Sequence, residues 1–159
     1  MERVNKILKN SNYQEYLKLN EKYEAERKFC RHDLRHFLDV ARIAYILVLE
    51  NKIDVSKEVV YAAALLHDIG RWMQYSEGKA HDESSAALAD DILDQSGFDD
   101  QEKEMILEAV RNHRNVSNGS VNFSSIFYRS DKLSRNCFNC SAAAECSWKD
   151  EKKNFTIKY

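Results

Sequence analysis

The sequence predicts a single all-α domain of about six helices. Its 159 residues include no proline and only 4 glycines, so the residues that favour hairpins and tight turns are scarce. Helix-favouring leucine, alanine, glutamate and lysine are abundant. Apolar residues recur at intervals of three and four rather than two, which is the period of a helix with one buried face. A chain of this length can bury one core without disulfides, and it is too short for a second full domain.

Three helices are predicted in the first 70 residues. Residues 11–28 are highly charged and carry a few aromatic side chains, which is typical of a surface helix. Residues 31–50 form the clearest amphipathic helix. Ser56 is a suitable N-cap for the third helix, in which residues 59–66 are apolar on every side and which ends near Gly70. This third helix is therefore expected to be the most buried.

Three more helices are predicted over residues 84–95, 99–112 and about 124–135. Gly97 ends the first of these, and Asp99 with Glu102 forms a capping box that begins the second. Ser124 or Ser125 is expected to cap the third. No helical periodicity follows, so we expect one domain over 1–159, with a core over 31–135 and a tail over 136–159 packed on it.

The composition also excludes several classes of function. The net charge of −2 provides no basic excess for binding a polyphosphate backbone, so we expect no nucleic-acid partner. A small anionic ligand is compatible with this net charge. The longest apolar run, residues 59–66, is far shorter than the ~20 residues of a membrane helix. The first ten residues lack the apolar region of a secretory signal. We therefore expect a cytoplasmic protein with no membrane partner and leave its oligomeric state open.

Histidine–aspartate pairs are the most informative feature of the sequence. His32, His67 and His81 each precede an aspartate, so the dipeptide alone is weak support for a site. His67 and Asp68 differ because they follow the most apolar helix, where an unpaired imidazole and carboxylate would cost several kcal/mol. Local capping and hydrogen bonding would also satisfy this pair, and that alternative stays open.

Further candidate ligands lie on other predicted helices. His36 belongs to the second helix, His113 ends the fifth and Asp131 lies within the sixth. A mixture of neutral imidazole and carboxylate suits Fe, Mn, Co, Ni or Zn with a coordination position left open for water. Convergence of these helices would therefore create a site for a divalent transition metal.

The order of five segments resembles that of the HD superfamily of metal-dependent phosphohydrolases. The segments are HFLDVARIA, AAALLHDIGR, KAHDESSAALADDIL, ILEAVRNHR and IFYRSDKLSR. Each segment is weakly specific, but their order is strongly specific, and the resemblance covers residues 31–135. It implies a helical HD-domain bundle in which His67 and Asp68 are the namesake pair.

The resemblance implies one or two bound metal ions. The first ion would be held by His36, His67, Asp68 and Asp131, and the second by His81, His113 and Asp68. Alternatively, His81 would begin a helix and face solvent, and His113 would serve the ordinary dipole role of a C-terminal histidine. His32 lies one turn before His36, but the pattern places the ligand directly ahead of the VARIA segment, so we expect His32 beside the ligands.

The implied activity is hydrolysis of a phosphate ester, on a small nucleotide or another phosphorylated metabolite. A water activated by the metal would attack phosphorus, with Asp68 as general base. Arg71 and Lys132 are candidates for holding phosphate oxygens, although either could be a solvated surface residue. The chain lacks the Gly-Tyr-Pro insertion of cyclic-dinucleotide phosphodiesterases and is short for alarmone hydrolases.

Three other functions stay open. Some members of the superfamily use a di-iron pair to activate oxygen, so a di-iron oxygenase is the first. The second is a ligand-sensing HD module without turnover. The third is a purely structural metal protein, which the predicted ligand set disfavours because structural zinc usually has four closed N and S ligands.

Three cysteines in the tail form a C-x2-C-x5-C pattern. Disulfides rarely persist in a reducing compartment, so Cys137, Cys140 and Cys146 are candidates for a structural zinc or iron–sulfur site. Cys30 is the remaining cysteine and the natural fourth ligand. The alternative is four free thiols in a tail held by apolar packing. The expected anchors would then be Phe138, Trp148, Phe155 and Tyr159.

Overall fold

A computed structural model describes residues 1–115 and 121–159 of the chain. Within these residues the protein is all-helical, which confirms the predicted fold class, but it has eight α-helices rather than about six. The helices are α1 Glu2–Lys9, α2 Ser11–Tyr23, α3 Leu34–Glu50, α4 Lys57–Leu66, α5 Arg71–Glu77, α6 His81–Ser96, α7 Asp100–Asn112 and α8 Phe123–Leu133.

Helix α4 lies at the centre of the core. It packs between α3 and α7, and α8 packs against both of those helices. Leu65 and Leu66 have no exposed surface, as the apolar run predicts. Truncating such a leucine to alanine typically costs about 2–5 kcal/mol. The well-packed helix α4 therefore fixes the position of the residues that follow it.

Two helices lack a clear signal in the sequence. Helix α1 contributes only Val4 and Ile7 to the core, and α5 has seven residues and no buried one. Helices this short are stabilised by tertiary packing rather than by intrinsic propensity. Packing against α4 and α6 holds α1, and packing against α2 and α6 holds α5.

Most predicted helix boundaries agree with the structure, with four corrections, the first being that α3 begins at Leu34 rather than at residue 31. Ser56 accepts a hydrogen bond from the Val59 amide, and the capping box at the start of α7 is present. Helix α8, however, is capped by Asn122 rather than by Ser124 or Ser125, because the Asn122 side chain accepts from the Ser125 amide. Helix α6 begins three residues earlier than predicted, at His81, and α2 ends at Tyr23 instead of continuing to residue 28.

Gly70 allows the junction between α4 and α5 to approach α6 closely. Its amide donates to Ser85 Oγ at 3.0 Å. A Cβ atom at this position would lie 2.6 Å from the Ser85 backbone nitrogen. The absence of a side chain thus brings the end of α4 against the start of α6, where His81 lies.

The tail from residue 136 onward contains two short 3-10 turns, Cys137–Asn139 and Asp150–Lys152. Asn154 ties it to the end of α8, because its side-chain amide donates to the carbonyls of Lys132, Leu133 and Arg135 at 2.8–3.2 Å. Among the described residues, no helix is long and apolar enough to cross a membrane.

Candidate metal centre

Six candidate ligands from five helical regions converge at one end of the bundle. They are His36 in the first turn of α3, His67 and Asp68 directly after α4, His81 at the start of α6, His113 at the end of α7 and Asp131 on α8. Asp68 is 3% exposed, His81 4% and His113 2%, and His67 is fully buried. The predicted solvent-facing alternative for His81 therefore does not describe this structure.

The first potential metal-binding group comprises His36, His67 and Asp68, with Asp131 beside it. His67 Nε2 lies 3.3 Å from Asp68 Oδ2 and 4.0 Å from Asp131 Oδ1. His36 Nε2 lies 3.4 Å from the same Asp131 oxygen. Ligands bonded to one ion at about 2.0–2.1 Å are about 3 Å apart, so these atoms nearly surround a single position.

The second potential group comprises Asp68, His81 and His113. The Nε2 atoms of the two histidines are 3.2 Å apart, and they lie 3.2 and 3.5 Å from Asp68 Oδ1. Asp68 therefore directs one oxygen at each group. This arrangement is suited to a carboxylate that bridges two ions.

The hydrogen bonds on the outer side of the rings fix the orientation of two of the histidines. Nδ1 of His67 donates to the Ala64 carbonyl at 2.8 Å, and Nδ1 of His113 donates to the Val110 carbonyl at 2.6 Å. Their Nε2 atoms consequently face carboxylate oxygens of the centre. His36 Nε2, His67 Nε2 and Asp68 Oδ1 are buried with no hydrogen-bond partner in the described part of the chain. A cation within the cluster would satisfy these buried atoms together, so the residues fit a metal.

Electrostatics favour the metal-binding forms of His81 and Asp68. Burial lowers the pKa of His81 to about 3, so its imidazole is neutral at physiological pH. Burial acts to raise the pKa of Asp68, but the neighbouring His67 and His32 outweigh it and hold that pKa well below its usual range. Asp68 is therefore an ionised carboxylate.

The two predicted phosphate-binding residues differ in their surroundings. Arg71 lines the cavity over the centre, and its Nη1 lies 2.9 Å from His81 Nε2. Lys132 does not line this cavity. Its ammonium group instead pairs with the outer oxygen of Asp131 and lies over the Tyr128 ring. Its position favours a role in orienting Asp131 over contact with a phosphate.

Two buried residues support the centre without any signal in the sequence. The Asn20 side chain donates to the Asp68 carbonyl and accepts from the Trp72 amide, both at 2.8 Å, so it fixes the chain on both sides of the α4–α5 junction. Glu24 accepts from His32 Nδ1 at 2.6 Å. His32 Nε2 then lies 3.8 Å from Asp68 Oδ2, which places this histidine beside the candidate ligands, as expected. Both supporting residues occur in a charged segment that suggests only a solvated helix.

A cavity of about 640 Å³ opens above the candidate ligands. This volume is typical of a site for a small molecule. Seven cationic side chains line it, namely Arg27, Lys28, Arg31, Arg35, Arg71, Arg135 and Lys153. The acidic residues in its lining are Asp33, Asp39 and the candidate ligands Asp68 and Asp131. The walls are therefore suited to an anionic molecule.

The predicted zinc site at the cysteines is not assembled in this structure. In residues 1–115 and 121–159, no potential metal-binding group with ligand atoms within 4.8 Å of one another includes a cysteine. All four cysteines nevertheless line the same cavity as free thiols. A third acidic group, Asp90 with Asp91 and Asp94, is exposed and pairs with Lys103, so it needs no metal.

Comparison with known proteins agrees with the observed fold. The HD domain profile matches residues 33–136, which is more than half of the chain. The protein belongs to the HD domain family. An uncharacterized protein of Clostridium beijerinckii is 46% identical over 159 residues, and the match covers all of both chains. No solved structure matches this chain.

Proposed function

We propose that this protein is a metal-dependent hydrolase of phosphate esters that acts on a small nucleotide or another phosphorylated metabolite. The observation that carries the proposal is the pair of His/Asp groups that share Asp68 below a cationic cavity. A divalent ion bound by such groups lowers the pKa of a coordinated water and neutralises charge on phosphate oxygens. Structural zinc sites have closed ligand sets, whereas this centre faces a cavity.

The chain's own residues have distinct roles in this proposal. His36, His67, Asp68 and Asp131 would hold one ion, and His81, His113 and Asp68 would hold a second. Asp68 would also be the general base for the attacking water, because its carboxylate is ionised and reaches both groups.

Substrate orientation is assigned to Arg71. Nearby Asp68 and Tyr75 raise its pKa despite burial, which acts to lower it, so the guanidinium stays charged and can donate to phosphate oxygens. The size of the cavity favours a small molecule over a nucleic acid or a membrane surface.

The test combines metal reconstitution with a substrate screen. Protein loaded with Fe, Mn, Co, Ni or Zn is assayed for phosphate release from phosphorylated metabolites. We expect activity with at least one metal, and loss of both metal and activity in His67→Ala and Asp68→Ala. The matched control is Asp90→Asn, which alters an exposed acidic group and should change neither.

Two outcomes would contradict the proposal. Oxygen consumption without phosphate release, in protein loaded with iron, would identify a di-iron oxygenase. Metal binding with ligand-dependent stabilisation but no turnover across the screen would identify a sensing module.

A further inference from the structure

The four cysteines line one cavity although they are far apart in the sequence. Cys30 precedes α3, whereas Cys137, Cys140 and Cys146 lie in the tail, and all four line the cavity. Cys137 and Cys140 flank a tight turn in which the Cys140 amide donates to the Cys137 carbonyl at 3.3 Å. These are all the cysteines of the chain. Their convergence requires the tail to fold back over the start of α3.

Apolar burial does not account for the position of the tail. Its large apolar anchors are all exposed: Phe138 46%, Trp148 42%, Phe155 52% and Tyr159 40%. Only Ala142 and Asn154 are buried in residues 136–159. These aromatic side chains are therefore only partly covered, although Arg135 lies over the Trp148 ring at 4.1 Å. Beyond the hydrogen bonds of Asn154, this segment has little buried core to offset its ordering entropy.

The spacing of the sulfurs does not match a preformed site for a single ion. Four sulfurs bonded to one zinc at about 2.3 Å lie about 3.8 Å apart. No three of these sulfurs lie within 4.8 Å of one another. An iron–sulfur cluster binds each thiolate through a separate position on a larger body, so its ligands are spaced more widely than those of a single ion.

The surroundings of the thiols are cationic. Partial desolvation and the neighbouring Cys137 and Cys140 raise the pKa of Cys30, whereas Arg135 acts in the opposite direction. The Lys153 ammonium group interacts electrostatically with Cys137 and Cys146. Four thiolates on a cluster carry excess negative charge, which nearby cations and hydrogen-bond donors stabilise.

We propose that Cys30, Cys137, Cys140 and Cys146 bind an iron–sulfur cluster that fastens the tail over the cavity. The cluster is separate from the His/Asp centre. It holds one wall of the cavity, since Trp148 and Lys153 line the cavity from the same tail.

The test measures acid-labile sulfide, because only an iron–sulfur cluster contributes it. The full chain is purified without oxygen and reconstituted with ferrous iron and sulfide. We expect bound sulfide, a visible thiolate-to-iron absorption band and a higher Tm than in the unreconstituted protein. Cys140→Ser and Cys30→Ser should lose the sulfide and the gain in Tm, whereas the matched control Ser141→Ala should keep both.

His67→Ala separates this proposal from the proposed hydrolase. This variant should keep its sulfide while losing metal from the His/Asp centre. Reconstituted wild-type protein without sulfide, or with zinc bound to the thiols in its place, would overturn the cluster. Full sulfide content in Cys30→Ser would overturn the assignment of that fourth ligand.

Discussion

Replacement of Gly70 by alanine should disrupt the metal centre by displacing the backbone that positions the candidate ligands, although it removes none of them. The new Cβ would lie 2.6 Å from the Ser85 nitrogen and 2.8 Å from both the carbonyl carbon and Cβ of Ser84. Two of these three atoms belong to the backbone of α6, so the clash cannot be relieved by rotating a side chain. Either the α4–α5 junction or the start of α6 must move.

The size of the effect follows from the cost of overpacking, which is typically about 1–3 kcal/mol. For a chain of this length, 1 kcal/mol shifts Tm by about 2–4 °C. We therefore expect Tm to fall by roughly 2–12 °C. Movement of the junction also separates Asp68 from His81, which are 3.2 Å apart, so the second metal ion should be weakened or lost.

Differential scanning calorimetry and metal analysis of the same samples test both effects. Gly97→Ala is the matched control, because Gly97 has a φ of +85° and, among the described residues, no atom within 4 Å of the point that a Cβ would occupy. Gly97→Ala should lose about 1–2 kcal/mol of folding stability, because alanine is strained in the left-handed conformation, while keeping its metal. A Gly70→Ala protein with unchanged Tm and full metal content would refute the argument.

Four further outcomes are expected. Asn20→Ala should lose about 1–3 kcal/mol of stability and bind metal more weakly, measured by chemical denaturation and metal titration, because the Asp68 carbonyl loses its buried amide donor. Arg71→Ala should raise KM, or lower kcat if the contact of Arg71 with phosphate strengthens in the transition state. Unchanged kinetics would contradict a role of Arg71 in substrate binding. His81→Ala should retain one ion per chain and lose most activity. If the wild type binds only one ion per chain and His81→Ala is fully active, the centre is mononuclear. Chelation should lower the Tm of the wild type, because bound metal stabilises only the folded state.

The local features of this protein are determined by its sequence. The intervals between apolar residues predict an all-α fold, and Ser56 and Asp99 cap helices where the sequence places caps. These features depend on neighbouring residues, so they can be derived from short segments. The order of the His and Asp segments likewise indicates the HD family before any distance is known.

Only the tertiary structure decided which residues support the candidate ligands. The two ligand sets that share Asp68 are already implied by the family resemblance, whereas the support of Asp68 by Asn20 depends on distances between helices that are remote in the sequence. The same is true of Lys132, which pairs with Asp131 rather than lining the cavity. Periodicity determines which face of a helix is buried, whereas the packing of other helices determines which atoms meet there.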